Sequence, residues 1–292
     1  MTPGRSGQLF PFTQVELPWA LGPPDGRYLL RDEGDPTAAP SHVLVIATLG
    51  AAERRRSMVG RRARSTQAQP QPEPARVTTG RATVVGVARP FSDESEAEAW
   101  LSRAGEDQLS EDLAVLGTAL HAFRVATADP YLNPVRRERL LVARIGYGRG
   151  EQVADGLWTD ARELIAPTQR QGRARLVEPQ ARLARLLGGR EHPLVCEELA
   201  LRARLDLDHA RPREAALQVL IALDAAIAEL ASDPDAGALA GRIEELRDQR
   251  DPVADAAQAG LAGPLHQDHR EAIEFALERI EAALRARTLE SE

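Results

Sequence analysis

The chain contains no lysine: all 37 of its basic residues are arginine, and Asn133 is its one asparagine. Enzymes that form a Schiff base with pyridoxal phosphate or with a ketone substrate need a lysine amine. The GxxxxGK[ST] P-loop, the kinase phosphate-binding lysine and the Ser-x-x-Lys pair of penicillin-binding enzymes need one too. The sequence therefore excludes these enzyme classes. The same composition is typical of a GC-rich bacterial genome, because lysine and asparagine codons are AT-rich.

Cysteine is almost absent as well, since Cys196 is the only one. An intramolecular disulfide, a cysteine-based zinc site and a cysteine-held iron–sulfur cluster are therefore excluded. The neighbouring carboxylates of Glu197 and Glu198 raise the pKa of a thiol, so we interpret Cys196 as a small core residue. No apolar run reaches the ~20 residues that span a bilayer, and the first ten residues do not resemble a signal peptide. We expect a cytoplasmic protein with no membrane partner.

Aromatic residues make up only 4% of the chain, so its core must consist mostly of Leu, Ala, Val and Ile. The 292 residues are enough for two structural units, at about 150 residues per domain. The charges are unevenly distributed along them. Residues 51–90 hold nine arginines against two glutamates, whereas residues 191–292 hold 11 arginines against 22 acidic residues. The acidic block argues against nucleic-acid binding by the C-terminal part.

The first part of the chain, residues 1–51, is predicted to be rich in strands. Partial alternation at 12–19, a short run at 27–31 after a turn signal, and a β-branched run at 42–49 each favour a strand. Residues 52–80 are basic and then polar and proline-rich. Such a segment buries little apolar surface, and we interpret it as a flexible linker.

Residues 81–167 are predicted to mix strands and helices. A strand is expected at 82–88, and a helix at about 110–126, where leucines repeat at intervals of three and four. The run at 140–147 favours another strand, with a helix as the alternative. Residues 168–292 are predicted to be a helical, bundle-like region. The fold class is therefore α+β: a small strand-rich N-terminal part, a mixed central segment and a mostly helical C-terminal half.

Several signals divide the helical half into elements. Pro179 suits the first turn of a helix that ends at Gly188-Gly189, and Pro193 begins the next one. The nearly all-apolar stretch 214–231 is expected to be a buried helix, and further helices are predicted at about 237–249 and 269–287. One helix pair, joined by the turn at 209–212, resembles a hairpin of a tetratricopeptide-like array. No second copy occurs at a fixed period, so a repeat protein is not predicted.

An apolar stripe marks the last predicted helix. Ile273, Leu277, Ile280 and Leu284 follow one another at intervals of four, three and four residues. Side chains in this arrangement must be covered. We expect the 214–231 helix of the same chain to cover them, and a second copy of the chain is the alternative.

Three glycines, Gly146, Gly148 and Gly150, follow a possible strand and precede a helical pattern. Glycines there could allow backbone N–H groups to approach a phosphate, although the dinucleotide fingerprint GxGxxG is not matched. A tight turn or bulge is the alternative.

His266 and His269 have the i, i+3 spacing that can place two imidazoles on one metal. The alternative is a solvated helix start, and the HExxH motif is absent.

An arginine cluster in the linker is the candidate for nucleic-acid binding, because arginine binds phosphate bidentately. It consists of Arg54, Arg55, Arg56, Arg61, Arg62 and Arg64. No aromatic residues are interleaved for base stacking. A solvated linker, or an arm lying on the acidic C-terminal region, is therefore the preferred interpretation.

No catalytic residue and no cofactor is predicted, since the GxSxG nucleophile motif does not occur. The leading hypothesis is a non-catalytic bacterial interaction or scaffold protein whose helical surfaces bind an unidentified protein partner or a second copy. The first alternative is a nucleic-acid-associated protein that uses the arginine-rich linker. The second is a nucleotide-binding protein or enzyme at the glycine cluster.

Overall fold

A computed structural model describes most of the chain. The described residues are 8–31, 37–50, 77–165, 173–233 and 236–290, without the side chains of 173–179 and 289–290. The chain divides into two compact units, Met1–Thr168 and Gln169–Glu292. The α+β prediction is confirmed, because the first unit contains a six-stranded antiparallel sheet and the second is helical.

The sheet of the first unit has the strand order β2-β3-β4-β1-β5-β6. The strands are β1 (Phe10–Leu17), β2 (Gly26–Leu30), β3 (His42–Leu49), β4 (Thr79–Gly86), β5 (Val142–Gly148) and β6 (Asp160–Glu163). Strand β4 lies between β1 and β3, so the segments 1–51 and 81–167 share one sheet. The strand expected at 140–147 is confirmed as β5. Most of the predicted linker, residues 52–76, lies outside the described residues, and its last two residues, Thr79 and Gly80, belong to β4 instead.

Two helices cover one face of this sheet, α1 (Glu94–Arg103) and α2 (Glu106–Thr127). Their apolar side chains join those of alternate strand residues in one core cluster, which includes Val15, Leu109 and Leu116. The opposite face is packed at its centre by a short 3-10 helix, Gly150–Asp155, and by the ring of Trp158. The sheet is thus buried on one face and partly covered on the other.

A polar row crosses the second face of the sheet. It runs in register over all six strands through Arg27, Val45, Thr83, Gln14, Arg144 and Glu163. The Gln14 amide is fully used: its Nε2 donates to Thr83 Oγ1 at 3.1 Å and to the Ala154 carbonyl at 3.3 Å, and its Oε1 accepts from Arg144 at 2.9 Å. The Arg144 guanidinium lies 4.9 Å from the centre of the Trp158 ring. These satisfied contacts explain how the buried Gln14 and Thr83 in this row are tolerated.

The second unit is a bundle around one central helix, α5. Its helices are α3 (Arg173–Leu187), α4 (Val195–Asp208), α5 (Pro212–Ala231), α6 (Ala240–Asp248), α7 (Arg250–Ala262) and α8 (Gln267–Glu290). Many of the buried positions are alanine, which lets neighbouring helices approach closely. In α8, Ile273, Leu277 and Ile280 are fully buried in the same core cluster as the apolar residues of α5. The prediction that the same chain covers this stripe is therefore confirmed.

Two helix predictions were wrong in detail. Helix α3 begins at Arg173, so Pro179 lies inside it rather than in its first turn. Helix α7 was not predicted, because its alanine-rich sequence has little contrast between faces and carries Pro252 near its start. A proline in the first turn is compatible with a helix, since the N–H groups there have no intrahelical partner.

Candidate functional site

Helix α3 is attached to the rest of its unit through charged side chains. Arg182 Nε donates to Glu191 Oε1 at 2.9 Å, and Arg185 Nε donates to Glu191 Oε2 at 3.1 Å. Arg182 also pairs with Glu197, in the first turn of α4. All four side chains are mostly buried. The positions 182 and 185 lie on one side of the helix, so this side faces α4 and the loop before it.

Two leucines of α3, Leu183 and Leu187, lie away from this charged side, whereas Leu186 is half-buried and lies closer to Arg182. Leu183 is 53% exposed and Leu187 is 80% exposed, and both lie one helical turn apart on one face. Gln180 on the same side is exposed too, as is Ala184 at its edge. Among the described side chains of α3, none belongs to the core cluster of the unit. Over residues 180–187, Arg182 and Arg185 thus face inward while Leu183 and Leu187 face outward, the reverse of an ordinary amphipathic surface helix.

A third exposed leucine lies next to the attachment point of α3. Leu201 follows Glu197 by one turn of α4, on the same side of that helix, and is 69% exposed. We call Leu183 and Leu187 the leucine surface. Its exposed α3 face, from Gln180 to Leu187, bears no charge, because both arginines of this stretch point toward Glu191 and Glu197.

The ion pair of Arg182 with Glu191 remains charged at neutral pH. Burial alone would raise the pKa of the Glu191 carboxyl, but the hydrogen bonds from Arg182 and Arg185 outweigh it and hold this pKa below its ordinary value. Burial would likewise lower the pKa of Arg182, and its bonds to Glu191 and Glu197 raise it instead. The attachment therefore depends on electrostatic attraction, which salt screens only in part when the groups are mostly buried.

The start of α4 is fixed from below by α5. The Glu229 carboxylate accepts from the backbone N–H of Val195 at 3.0 Å and from that of Cys196 at 2.9 Å. Burial, and next the adjacent Glu229, raise the pKa of the Cys196 thiol far above its ordinary value. Cys196 is fully buried, so its predicted role as a core residue is confirmed. The carboxylates that act on it are Glu229 and Glu197.

The glycine cluster lies at the end of β5 and at the start of the 3-10 helix. A side chain at Gly146 would collide with the Asp160 carbonyl and with Ala161, and one at Gly148 would collide with Val153. Gly150 has a φ of +61° and open space around it. The first two glycines thus have a packing reason, since neighbouring atoms lie too close for a Cβ. Nucleotide binding at the cluster stays a prediction.

The two histidines lie near the start of α8, with ring centres 6.2 Å apart. The described part of the chain contains no group of three or more His, Cys, Asp or Glu side chains arranged to hold a metal ion. In that part of the chain, His266 and His269 therefore have no third His, Cys, Asp or Glu ligand with which to hold a metal ion. The six arginines proposed for nucleic acid, Arg54 to Arg64, lie outside the described residues.

One unusual residue was missed by sequence reasoning. Asp112 lies on the buried side of α2 and is only 7% exposed. The residues that share this side are Leu109, Leu116 and Leu120, at intervals of three, four and four residues. The sequence pattern was followed through its leucines only, so the acidic residue among them was missed. An acidic residue at an apolar position of a helical repeat is the signal that could have identified it.

Comparisons with protein-family models, with curated proteins and with solved structures find no match to this chain. Among the described residues, no helix has the length and apolar character needed to cross a bilayer.

Proposed function

We propose that this protein is a non-catalytic interaction module whose leucine surface binds a partner protein. The observation that supports this function is the inverted orientation of α3, with Arg182 and Arg185 turned inward and Leu183 and Leu187 turned outward. An aliphatic side chain gains roughly 1.5–3 kcal/mol when it moves from water to full burial. Scattered exposed leucines are ordinary, but a helical segment that turns two arginines inward and two leucines outward is not.

The character of the surface defines the chemistry of its partner. The exposed α3 face is uncharged from Gln180 to Leu187, so a charged group placed against it would lose water without gaining an ion pair. A phosphate backbone would find no cation there. An apolar, uncharged helix face or groove fits best, with pockets for two leucines one turn apart.

Binding of nucleic acid by the six linker arginines is a separate prediction, tested by the salt dependence of a gel shift.

The experiment compares new positive charge on the leucine surface with new positive charge at another exposed leucine. Leu183→Arg combined with Leu187→Arg places cations on the leucine surface. Leu261→Arg is the control, because Leu261 on α7 is 61% exposed and lies outside the leucine surface. Tagged proteins are crosslinked in the cells that make them, and the crosslinked species are identified by mass spectrometry and rebuilt from purified components.

We expect a specific crosslinked protein with the wild-type chain and with Leu261→Arg, and its loss with the double variant. Circular dichroism should show equal helix content in all three, since none of the changed residues is buried. If the double variant retains the same crosslinked protein and the same affinity for it, the leucine surface is not the binding site.

A further inference from the structure

Asp112 bridges helix α2 and the central strand β1. Its Oδ2 accepts a hydrogen bond from the hydroxyl of Thr13, which is itself buried on β1. Gln108, one turn earlier on α2, donates a second bond to the same oxygen at 3.2 Å. Both donors are uncharged. Among the ion pairs of the described residues, none involves the Asp112 carboxylate, so its charge has no direct counter-ion.

The charged groups that act on this carboxyl come from two elements. His42 on β3 attracts the ionised form, and Glu111 on α2 itself repels it. Strands β1 and β4 present uncharged side chains there, such as Thr13 and Val84. Burial in this setting raises the pKa of Asp112, and the bonds from Thr13 and Gln108 offset only part of that effect.

We propose that Asp112 acts as a proton-sensitive latch that holds α2 more firmly on the sheet when its carboxyl is neutral. Helix α2 covers the apolar face formed by residues such as Val15 and Leu44. Ionisation places a desolvated charge between the helix and β1, which favours the separation of the two. The latch is independent of the leucine surface, because it lies in the first unit.

The direction of the pH dependence follows from the raised pKa. The folded state binds the proton more tightly than the unfolded state, whose Asp has the ordinary pKa of 3.8. The stabilising contribution of the neutral carboxyl is therefore complete below that value and is lost as the pH rises through the folded pKa. Each unit between the two pKa values makes opening about tenfold more favourable once the group is ionised.

Hydrogen exchange of the α2 and β1 amides tests the latch on the full-length protein. Protection factors, corrected for the intrinsic rate of exchange, are measured from about pH 4 to pH 8 for wild type and for Asp112→Asn. Asp107→Asn is the matched control, since Asp107 is an exposed aspartate in the first turn of the same helix. His42→Gln separates the contribution of the neighbouring imidazole.

We expect wild-type protection of α2 to fall with rising pH, and Asp112→Asn to remove that fall. Asp107→Asn and His42→Gln should keep it. Should Asp112→Asn fail to fold, Thr13→Val provides the test, because loss of its hydroxyl should steepen the fall by removing a donor to the ionised carboxylate. The proposal would be overturned if the protection of wild type and of Asp112→Asn, or of wild type and Thr13→Val, depended equally on pH. It would also be overturned if His42→Gln, and not Asp112→Asn, removed the fall in protection.

Discussion

Arg182 donates to Glu191 at 2.9 Å, and this contact places the charged side of α3 against its own unit. Leu183 and Leu187 face solvent as a consequence, because they lie about 100° and 140° from Arg182 around the helix. One ion-pair cluster therefore determines which side of the helix is available for binding.

The first prediction concerns this attachment. Arg182→Gln removes the side chain that pairs with both Glu191 and Glu197. We expect the α3 amides to lose protection against hydrogen exchange while the melting temperature changes little, since the described α3 side chains are not part of the core cluster. Arg202→Gln is the control, because its ion pair with Glu198 is 59% exposed on both sides and surface pairs of this kind contribute little. Unchanged α3 protection in Arg182→Gln would show that something other than the ion pairs holds the helix.

The second prediction concerns the core of the bundle. Leu277→Asp places a carboxylate among fully buried residues, so we expect it to lower the free energy of unfolding by more than about 3 kcal/mol. Light scattering should give the same mass as for wild type, because the same chain covers the stripe. Phe275→Asp is the control on the exposed side of α8, and it should be tolerated. A dimer that turns into a stable monomer on Leu277→Asp would contradict this assignment.

The last helix also illustrates what could be predicted from sequence. The interval of four, three and four residues defines which side of α8 is apolar, and a long all-apolar helix nearby was available to cover it. The bounds of β3 were predicted to the residue, since a β-branched run between turn signals has few other interpretations.

The candidate site could not be predicted in the same way. Periodicity identifies the two faces of α3, but the usual rule that the apolar face turns inward gives the wrong orientation here. The orientation depends on Glu191 and Glu197, which the fold brings beside Arg182, and their pairing is not visible in the spacing of α3 itself. Asp112 was missed for a different reason. Its position among the apolar residues of α2 is visible in the sequence, but the sequence analysis did not consider it.

The third prediction concerns the glycines of β5. Gly146→Ala should destabilise the first unit by roughly 1–3 kcal/mol, because the added methyl group would collide with the Asp160 carbonyl and Ala161. Gly105→Ala is the control, since no atom lies within 4 Å of its added Cβ. Thermal melts of both variants, with and without ATP or NAD, also test the glycine cluster. If Gly146→Ala is as stable as wild type, the packing explanation is wrong. A rise in melting temperature on addition of nucleotide would support ligand binding at the glycine cluster.

The fourth prediction concerns Cys196. Its thiol is fully buried with a raised pKa, so it should not react with a thiol reagent at neutral pH in the folded protein. It should react at once in denaturant. The measurement is the rate of reaction with an Ellman-type disulfide reagent, and rapid reaction of the native protein would contradict the burial of this residue.

The inert Cys196 makes possible the most direct measurement of the central claim, because it is the only natural cysteine. Leu187→Cys introduces one reactive thiol on the leucine surface, and Leu261→Cys introduces one on α7 as a control of similar exposure. In the purified protein both thiols should be labelled rapidly by a maleimide. In cells that make the protein, we predict that Leu187→Cys is protected by its partner while Leu261→Cys is labelled as before. Equal labelling of the two thiols in cells would contradict the account, because an uncovered leucine surface has no partner.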